Sequence, residues 1–476
     1  MSPTAPKHAR KTVRRSAVAV TAVAAAAAMT VATPAAANAA TTPTGNPQID
    51  ALLASAPLLP GGIPIAVIPQ VAPVINQGVA AWNQIPVIGG LIPVSNTTAG
   101  SAFGTTPLAP GWAGAWSSDT FKVGAPLGLG GLTSTTYGLV GLNANSGGLG
   151  VGSIGGNNTT LNGPLGSALG LSTSLSAVTT NGLTTWTPSL GLGATAPLGL
   201  GSASATIVPA TVTYGDKTFL VGLPSINLGL GIPLLGINAG LVINLGQVGF
   251  QNGQLVLVTP SIGGTLTTPL GGGSVGVTPG TITVGTGGIT VDAPDVKANV
   301  NVLNTVKAGL DVNGGGASIT PTGVAVAGPS GTGTVTTPVG SGTVTASTGS
   351  ASAGTNGVSV TGPAATGTVT TPVGVSGGAA VSTGSATVAP NGDTTVTGPK
   401  AAAGVSTPAG GASGHVETGS ASVSPSTGSA SVTGPSGGVE VSTPATGSHG
   451  VEADTGSATA SSSGVSVKDT PSVDVH

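Results

Sequence analysis

Hydrophobic and polar residues alternate in short runs through the C-terminal half of the chain. In Gly357–Thr361 two valines are separated by a serine and followed by a threonine, and the runs that begin at Val324 and Val465 repeat the alternation. Successive side chains of a β-strand point to opposite faces, so this period of two predicts strands with one apolar and one polar face. Residues 99–265 show no 3.6-residue amphipathic period that would predict a helix.

Three short markers recur in one register through residues 266–476. Thr-Pro and Gly-Pro each recur with spacings of 34, 36 and 36 residues, and Thr-Gly-Ser-Ala recurs alongside them. The spacings predict a repeat of about 35 residues, with degenerate copies beginning near Pro269. The Thr-Pro prolines and the Gly-Pro glycines are Pro338, Pro372, Pro408, Pro444, Gly328, Gly362, Gly398 and Gly434.

One repeat is too poor in apolar residues to fold alone. Two buried valines in a strand contribute only about 3–6 kcal/mol, and ordering the backbone costs about 1–2 kcal/mol per residue. Stacked repeats share a thin core, which predicts a β-array. An extended, disordered stalk is the alternative that the sequence leaves open.

Residues 99–265 carry the aromatic side chains and the clearest turn signals. Gly215-Asp216 predicts a type II′ hairpin turn, Asn252-Gly253 a type I′ turn, and Asn181-Gly182 a third hairpin. We therefore expect a β-sandwich or barrel-like domain here. All aromatic residues except Trp82 lie in this region: Phe103, Trp112, Trp116, Phe121, Tyr137, Trp186, Tyr214, Phe219 and Phe250.

The N-terminus has the three parts of a signal peptide. Basic residues lie between Lys7 and Arg15, an Ala/Val-rich apolar run follows over residues 17–32, and Ala37-Asn38-Ala39 is a small-residue cleavage motif. The apolar run is short and Ala-based, which favours a cleaved signal over a membrane anchor. We therefore expect export by the ordinary secretory route.

A linker and a proline-interrupted apolar segment are predicted for residues 40–98. A short helical pattern covers Ile49–Leu53, and seven prolines divide the apolar stretch from Ile49 to Val94. That many prolines argue against a membrane-spanning helix. The stretch instead predicts either a docking strip laid over a sheet or an exposed interaction segment.

The composition narrows the function classes. Charged residues are 5% of the chain and cysteine is absent, which excludes disulfides and zinc-thiolate sites. Five of the eleven basic residues, including every arginine, lie in the signal peptide, which leaves six lysines against thirteen acidic residues and a net charge of −7. A mature chain without arginine is a poor candidate for nucleic-acid binding.

Paired carboxylates raise the hypothesis of a glycoside hydrolase. Asp119 and Asp216 lie in the aromatic-bearing region, and Trp112 and Trp116 lie close enough in sequence to Asp119 to stack on a sugar. The simpler interpretation is a surface aspartate beside core aromatics, and we favour it.

Other candidate groups are weaker. His415 and His449 lie near Glu417 and Glu452 in neighbouring repeats, but we expect solvent-facing residues rather than a catalytic pair. Oxygen ligands for calcium occur at Asp292, Asp295 and Asn391-Gly392-Asp393, and none of these stretches matches a known calcium loop. We assign no catalytic, cofactor-binding or metal-binding residue.

The Ala-rich signal and the Gly/Ala/Thr/Val bias resemble secreted glycine-rich surface proteins of high-GC actinobacteria. The resemblance is one of composition, and no family motif accompanies it. It implies a cell-envelope or extracellular location.

The sequence therefore predicts an all-β, exported structural or adhesion-type protein without catalytic activity. Its expected partners are further copies, through β-strand edges, and a cell-wall or host-surface glycan. An envelope pore and a carbohydrate-active hydrolase are the alternatives. The predicted regions are a signal peptide (1–39), a linker with the apolar segment (40–98), the aromatic-bearing domain (99–265) and the repeats (266–476).

The cleavage site is directly testable. Secretory expression should yield a mature chain that begins at Ala40, which intact-mass measurement and N-terminal sequencing identify. Substitution of Ala39→Tyr places a bulky ring at a position that requires a small residue, so the precursor should accumulate. Release of a chain with a different first residue would contradict the assignment.

Overall fold

The described chain is almost entirely antiparallel β-strand, with two α-helices near its start. The predicted signal peptide and the predicted helix at Ile49–Leu53 lie outside the residues described. The structure is a computed structural model that describes residues 62–85, 88–105, 112–126, 129–143, 150–444, 447–468 and 471–476.

Two-residue turns with positive φ fold the chain into hairpins. Asn181-Gly182 and Asn252-Gly253 have φ of 53° and 82°, and of 53° and 80°, which confirms both predicted hairpins. The turn predicted at Gly215-Asp216 lies one residue later, at Asp216-Lys217, with φ of 41° and 62°. Positive φ at both positions makes this turn type I′ rather than II′, because pairing of Gly215 with Thr218 extends the ladder by one residue.

The first compact unit ends at Leu234. It contains the short 3-10 turns Pro164–Gly166 and Pro197–Gly199, and a third turn, Pro233–Leu235, lies at its end. Its helices and strands are α1 (Gly62–Asn83), α2 (Ile88–Leu91), β1 (Val94–Thr105), β2 (Trp112–Gly124), β3 (Gly131–Asn143), β4 (Gly150–Asn162), β5 (Ala168–Thr180), β6 (Leu183–Thr195), β7 (Ser202–Val208), β8 (Thr211–Gly215), β9 (Thr218–Gly222) and β10 (Ser225–Ile232).

Helix α1 forms from the proline-interrupted apolar segment and packs against β1, β2 and β3. Ile68 and Ala72 are buried, and Ile75 is half-buried one turn further on, so these residues form a stripe with helical spacing. Pro69 and Pro73 lie on the exposed side. Each interior proline costs about 3 kcal/mol, and burial of the apolar stripe against the sheet offsets that cost.

The end of α1 is tied to the first strand. Asn83 donates from Nδ2 to the Val94 carbonyl at 2.7 Å and accepts from the Val94 amide at 3.1 Å, while Trp82 donates from Nε1 to the Ile92 carbonyl at 3.0 Å. These bonds join the helix end to the start of β1. Residues 62–83 of the apolar segment therefore lie over the sheet as a helix.

Strands β1 to β6 form an open antiparallel meander with its core near one end of the strands. Trp112 is 5% exposed and Leu139 is fully buried, and Trp116, Ile154 and Val178 pack against them. Register explains the cluster, because Trp116 and Ile154 stand opposite Leu139 on either side. Burial raises the pKa of Tyr137.

The sheet divides in width at β6. Strands β2 to β6 each span 13 residues. Along β6, residues 190–195 pair with β7, and residues 184–186 pair with β8. The five-residue strand β8 then pairs with β9, and β7 pairs with the eight-residue β10. After β6, each position in the sheet that a 13-residue strand would occupy is filled by one shorter and one longer strand, placed end to end.

The second unit, residues 235–476, contains strands of seven or eight residues and strands of four or five residues, which alternate in pairs. Its strands are β11 (Ile237–Asn244), β12 (Gln247–Gln251), β13 (Gln254–Val258), β14 (Ser261–Thr268), β15 (Gly271–Thr278), β16 (Thr281–Gly285), β17 (Gly288–Asp292), β18 (Asp295–Val302), β19 (Val306–Asn313), β20 (Gly316–Thr320), β21 (Gly323–Ala327), β22 (Ser330–Thr337), β23 (Gly340–Ser347), β24 (Ser350–Gly354), β25 (Gly357–Thr361), β26 (Ala364–Thr370), β27 (Ser376–Ser382), β28 (Ser385–Val388), β29 (Thr394–Thr397), β30 (Lys400–Thr407), β31 (Gly410–Glu417), β32 (Ser420–Ser424), β33 (Ser429–Thr433), β34 (Ser436–Thr443), β35 (Gly447–Asp454), β36 (Ser457–Ser461), β37 (Gly464–Lys468) and the four-residue β38 (Ser472–Val475), which follows β35 in the ladder of longer strands.

These strands form two antiparallel ladders that run side by side. The long ladder consists, in order, of β11, β14, β15, β18, β19, β22, β23, β26, β27, β30, β31, β34, β35 and β38. The short ladder consists of β12, β13, β16, β17, β20, β21, β24, β25, β28, β29, β32, β33, β36 and β37.

A main-chain joint connects the two ladders at each of the four Gly-Pro markers. The Gly328 amide donates to the Gly349 carbonyl at 2.9 Å, and the Thr348 amide donates to the Pro329 carbonyl at 3.0 Å. The Thr348 hydroxyl also donates to the Pro329 carbonyl, at 3.2 Å. The same three bonds recur at the next three Gly-Pro and Thr-Gly pairs. Two of the sequence markers are therefore the two sides of one joint.

The structure confirms the predicted all-β class and β-repeat character. It differs in the aromatic-bearing region, where an open sheet with a packed helix takes the place of a sandwich or barrel. The division between units, after Leu234, falls inside the predicted 99–265 domain. Prolines at 224, 260 and 294 precede β10, β14 and β18, and they extend the Gly-Pro series backwards with spacings of 34–36 residues. The repeat pattern therefore begins well before residue 266.

The joint makes a stability prediction. Gly349 has φ of +92°, and a Cβ there would lie 2.1 Å from the Thr361 carbonyl oxygen. Gly349→Ala should therefore destabilise the joint by about 2 kcal/mol or more. Hydrogen exchange of the Gly328 and Thr348 amides should become roughly 30-fold faster.

Gly333→Ala is the matched control. Gly333 has no positive φ, and nothing lies within 4 Å of a Cβ built on it. Its exchange pattern should match that of the wild type or be slower, since alanine restricts the unfolded chain. Equal acceleration by the two variants would contradict a specific conformational role for Gly349.

Candidate interaction surfaces

The long ladder separates its charged residues from its apolar residues by face. Residues directly opposite in an antiparallel pair lie on the same face, and neighbours along a strand lie on opposite faces. By this register, Lys297, Asp311, Lys400 and Glu417 lie on one face together with every other described Asp, Glu and Lys of the ladder. We call this side the polar face and the other side the apolar face.

The apolar face carries an ordered alternation of large and small side chains. One row of residues stands in register across thirteen successive strands, and within it each large side chain is flanked by glycine or alanine until the last position. This alternating row is Ala239, Leu266, Gly273, Val300, Ala308, Val335, Gly342, Val369, Gly377, Val405, Ala412, Val441 and His449.

The large side chains of this row are half exposed. Val335, Val369, Val405 and Val441 are 49%, 59%, 54% and 47% exposed. Contiguous apolar surface of more than a few hundred Å² is uncommon on soluble monomers and marks an interaction site. His449 is the only ionisable side chain that the register places on the apolar face among the described residues of the long ladder.

Sequence reasoning missed this row, although a signal for it exists. Its members come from different strands and lie 7 to 29 residues apart, so no local window contains the alternation. Aligning the repeats on their Thr-Pro prolines places the valines of the row in one column, three residues before the proline, and Gly342, Gly377 and Ala412 four or five residues after it.

The polar face contains a shallow depression without aromatic lining among the described residues. Thr332, Thr345 and Thr366 line it, together with Lys297 and Asp311. The Lys297 Nζ and the Asp311 Oδ2 lie 3.1 Å apart, in an exposed ion pair. Exposed pairs of this kind contribute little stability, and the depression offers hydroxyl groups without a ring on which a sugar would stack.

The two tryptophans of the hydrolase hypothesis serve the core. Trp112 is buried against Leu139, and Trp116 packs on the same cluster. The Trp116 Nε1 is buried without a hydrogen-bond partner. The simpler interpretation of these rings as core aromatics is the one that the packing supports.

The structure does not bring the two candidate carboxylates together. Asp119 accepts hydrogen bonds from Asn96 Nδ2 at 2.8 Å and Thr98 Oγ1 at 3.4 Å. Asp216 lies in the turn between β8 and β9, and four strands separate β2 from β8. At about 4.8 Å per strand this is roughly 24 Å along the sheet, compared with about 5–9.5 Å between the carboxyl groups of glycosidases.

A polar network beside Asp119 was not foreseen from the sequence. Asn157 donates from Nδ2 to Thr136 Oγ1 at 2.9 Å and to Ser134 Oγ at 3.2 Å, and its Oδ1 accepts from Thr159 at 2.8 Å. The group joins β3 to β4 on the face that carries Asp119. The side chains of this network satisfy one another's hydrogen-bonding groups, as half-buried polar groups in a sheet require.

The candidate calcium ligands either accept hydrogen bonds from the protein or lie in separate parts of the fold. Asp295 Oδ1 accepts from the Gly314 amide at 3.2 Å, and Asp292 ends the preceding strand β17, separated from Asp295 by Ala293 and Pro294. Among the described residues, no group of three or more histidine, aspartate or glutamate side chains is arranged to hold a metal ion.

Asp393 serves as a connection between turns. Its carboxylate accepts from Ser424 Oγ at 2.5 Å, from Asn391 Nδ2 at 2.7 Å and from Ser426 Oγ at 3.4 Å. The hydrogen bonds from Ser424 and Asn391 lower the pKa of Asp393 below its ordinary value of 3.8. The turn before β29 is thereby linked to the turn after β32.

The candidate histidines lie on opposite faces of the long ladder. His415 and Glu452 are on the polar face, whereas His449 is on the apolar face. Glu417 binds Lys400, with the Nζ–Oε2 distance at 3.0 Å. The structure therefore does not bring His415 and His449 together. Glu452 is in register with His415, and His449 lies three residues before Glu452 in the same strand, so its side chain points to the other face.

No protein-family model matches the chain, and no curated protein matches it. Over the part of the chain that the structure describes, no helix is both long enough and apolar enough to cross a membrane.

The Asp393 connection predicts a measurable pKa change. Ser424→Ala removes the largest stabilising hydrogen bond, so the pKa of Asp393 should rise towards its ordinary value, as followed by carboxyl NMR titration. A folded-state pKa below the unfolded one contributes stability that is present above the unfolded pKa and is lost as pH falls through the folded pKa. Ser422→Ala, in the same strand, should leave the titration unchanged, and an unshifted Asp393 in Ser424→Ala would refute the assignment.

Proposed function

We propose that the protein is an exported structural protein of the cell surface or extracellular space, which acts by presenting repeated binding surfaces. The observation that carries the proposal is the recurrent joint, whose three hydrogen bonds repeat at Gly328, Gly362, Gly398 and Gly434. Joints of this kind let each repeat stabilise its neighbour, so that a thin array with few buried side chains stays folded. An array of this kind suits a scaffold or spacer.

The placement of the chemically reactive side chains supports a non-catalytic role. Asp119 is hydrogen-bonded within its own sheet, Asp216 lies in a distant turn, and His415 and His449 face opposite ways. General acid–base catalysis requires such groups within about 3 Å of one reacting atom. In the part of the chain described, these groups are used for structure or lie in solvent.

Adhesion or surface-layer formation is the specific role that we favour. Exposed strand edges carry unpaired amide and carbonyl groups that pair with another chain, and low charge weakens the repulsion between copies. A glycan partner would contact the hydroxyl-rich polar face, where Thr332, Thr345 and Thr366 lie together.

Cell fractionation tests the proposal. The full chain, expressed with its own N-terminus in a Gram-positive secretory host, should be recovered as mature protein in the wall and medium fractions. A chain lacking residues 2–39 should remain in the cytoplasm and serve as the control. Recovery of the full chain as an unprocessed cytoplasmic precursor would refute the proposed location and, with it, the surface role.

A further inference from the structure

The apolar face of the long ladder has the shape and composition of a self-complementary surface. We propose that this face binds the same face of a second copy of the chain, so that valines of one copy occupy the hollows over glycine and alanine of the other. The inference goes beyond the proposed location and surface role, because it specifies which surface meets which partner and does not depend on export.

The hollows and projections are matched in spacing. Val335, Val369 and Val405 project from every second strand, and Gly342 and Gly377 lie between them. Neighbouring strands are about 4.8 Å apart, so projections recur about every 10 Å. A second copy displaced by one strand therefore places its valines over these glycines, and paired sheets interdigitate in this way about 10 Å apart.

The area is sufficient for a stable dimer. The long ladder has fourteen strands, most of eight residues, as its pairings and strand lengths show. At about 3.4 Å per residue and 4.8 Å per strand, its face covers roughly 1,800 Å². A standard protein–protein interface needs about 800 Å² from each partner, so less than half of the face would suffice.

Charge and composition favour a second copy over a lipid surface. Stacking leaves the polar face, with its lysines and carboxylates, in water on the outside of the pair. Membrane-associated strands favour tyrosine and tryptophan at the lipid–water boundary, whereas the sequence has no aromatic residue after Phe250. Polar hydroxyls and charges are also excluded from the buried interface, apart from the edge threonines and His449.

The decisive variant fills the hollows without adding charge. A Cβ on Gly342 would lie 3.5 Å from its nearest neighbour, the Thr368 carbonyl oxygen, and one on Gly377 would lie 3.6 Å from the Gly404 carbonyl oxygen. These are ordinary contacts, and valine favours strands. Gly342→Val/Gly377→Val should therefore fold like the wild type, yet weaken self-association at least tenfold.

Sedimentation velocity of the purified full chain over a micromolar concentration series measures the association, and far-UV circular dichroism checks the fold. The matched control is Thr343→Val/Gly378→Val, one position along the same two strands on the polar face. It replaces a hydroxyl by a methyl group at position 343 and adds apolar bulk at position 378. The control should dimerise like the wild type. A second pair, Val369→Lys and Thr368→Lys, places a charge on the apolar and polar faces in turn, and only Val369→Lys should dissociate the dimer.

Three results would overturn the inference. A wild-type chain that stays monomeric at tens of micromolar would exclude the dimer. Stronger association of Gly342→Val/Gly377→Val would indicate non-specific hydrophobic contact, since added apolar area would then outweigh shape. Cosedimentation of the wild type with phosphatidylcholine vesicles, lost in Val369→Lys, would identify a lipid surface as the occupant. Failure of export in the fractionation experiment leaves all of these measurements interpretable.

Discussion

The main-chain joint between Gly-Pro and Thr-Gly is the constraint on which the rest of the repeat region depends. A repeat that buries so few side chains gains little hydrophobic stabilisation, and its backbone amides and carbonyls must nevertheless be paired. At the joint, the Gly328 amide and the Gly349 carbonyl meet between ladders, and the Thr348 hydroxyl adds a bond to the Pro329 carbonyl. Hydrogen bonding then continues from strand to strand in both ladders, so order in one repeat supports order in the next.

The same constraint shapes the surfaces. Because the register is held in every repeat, residues at equivalent positions always emerge on the same face. The long ladder therefore keeps Lys297 and Glu417 on one side and Val335 and Val405 on the other. In most soluble sheets a second layer would cover the apolar side. Here those valines stay about half exposed, which is the physical basis for the proposed self-association.

The candidate site residues show where sequence proximity misleads. Trp116 and Asp119 are three positions apart in one strand, so they project to opposite faces, and only Trp116 reaches the core cluster. His415 and His449 occur in neighbouring repeats at nearly the repeat spacing, yet His449 lies three positions from Glu452, the residue in register with His415, and an odd offset reverses the face. Prediction of these placements requires the register between strands, which no local pattern supplies.

What the sequence determined by itself was local: the period-two alternation, the repeat length, and turns such as Asn252-Gly253 that only certain residues can form. The tertiary structure decided the rest. Helix α1 forms across Pro69 and Pro73 because the sheet buries its apolar stripe, an effect absent from the segment alone. The alternating row likewise exists only once the strands pair in register, because its residues lie in different strands and meet solely through main-chain pairing.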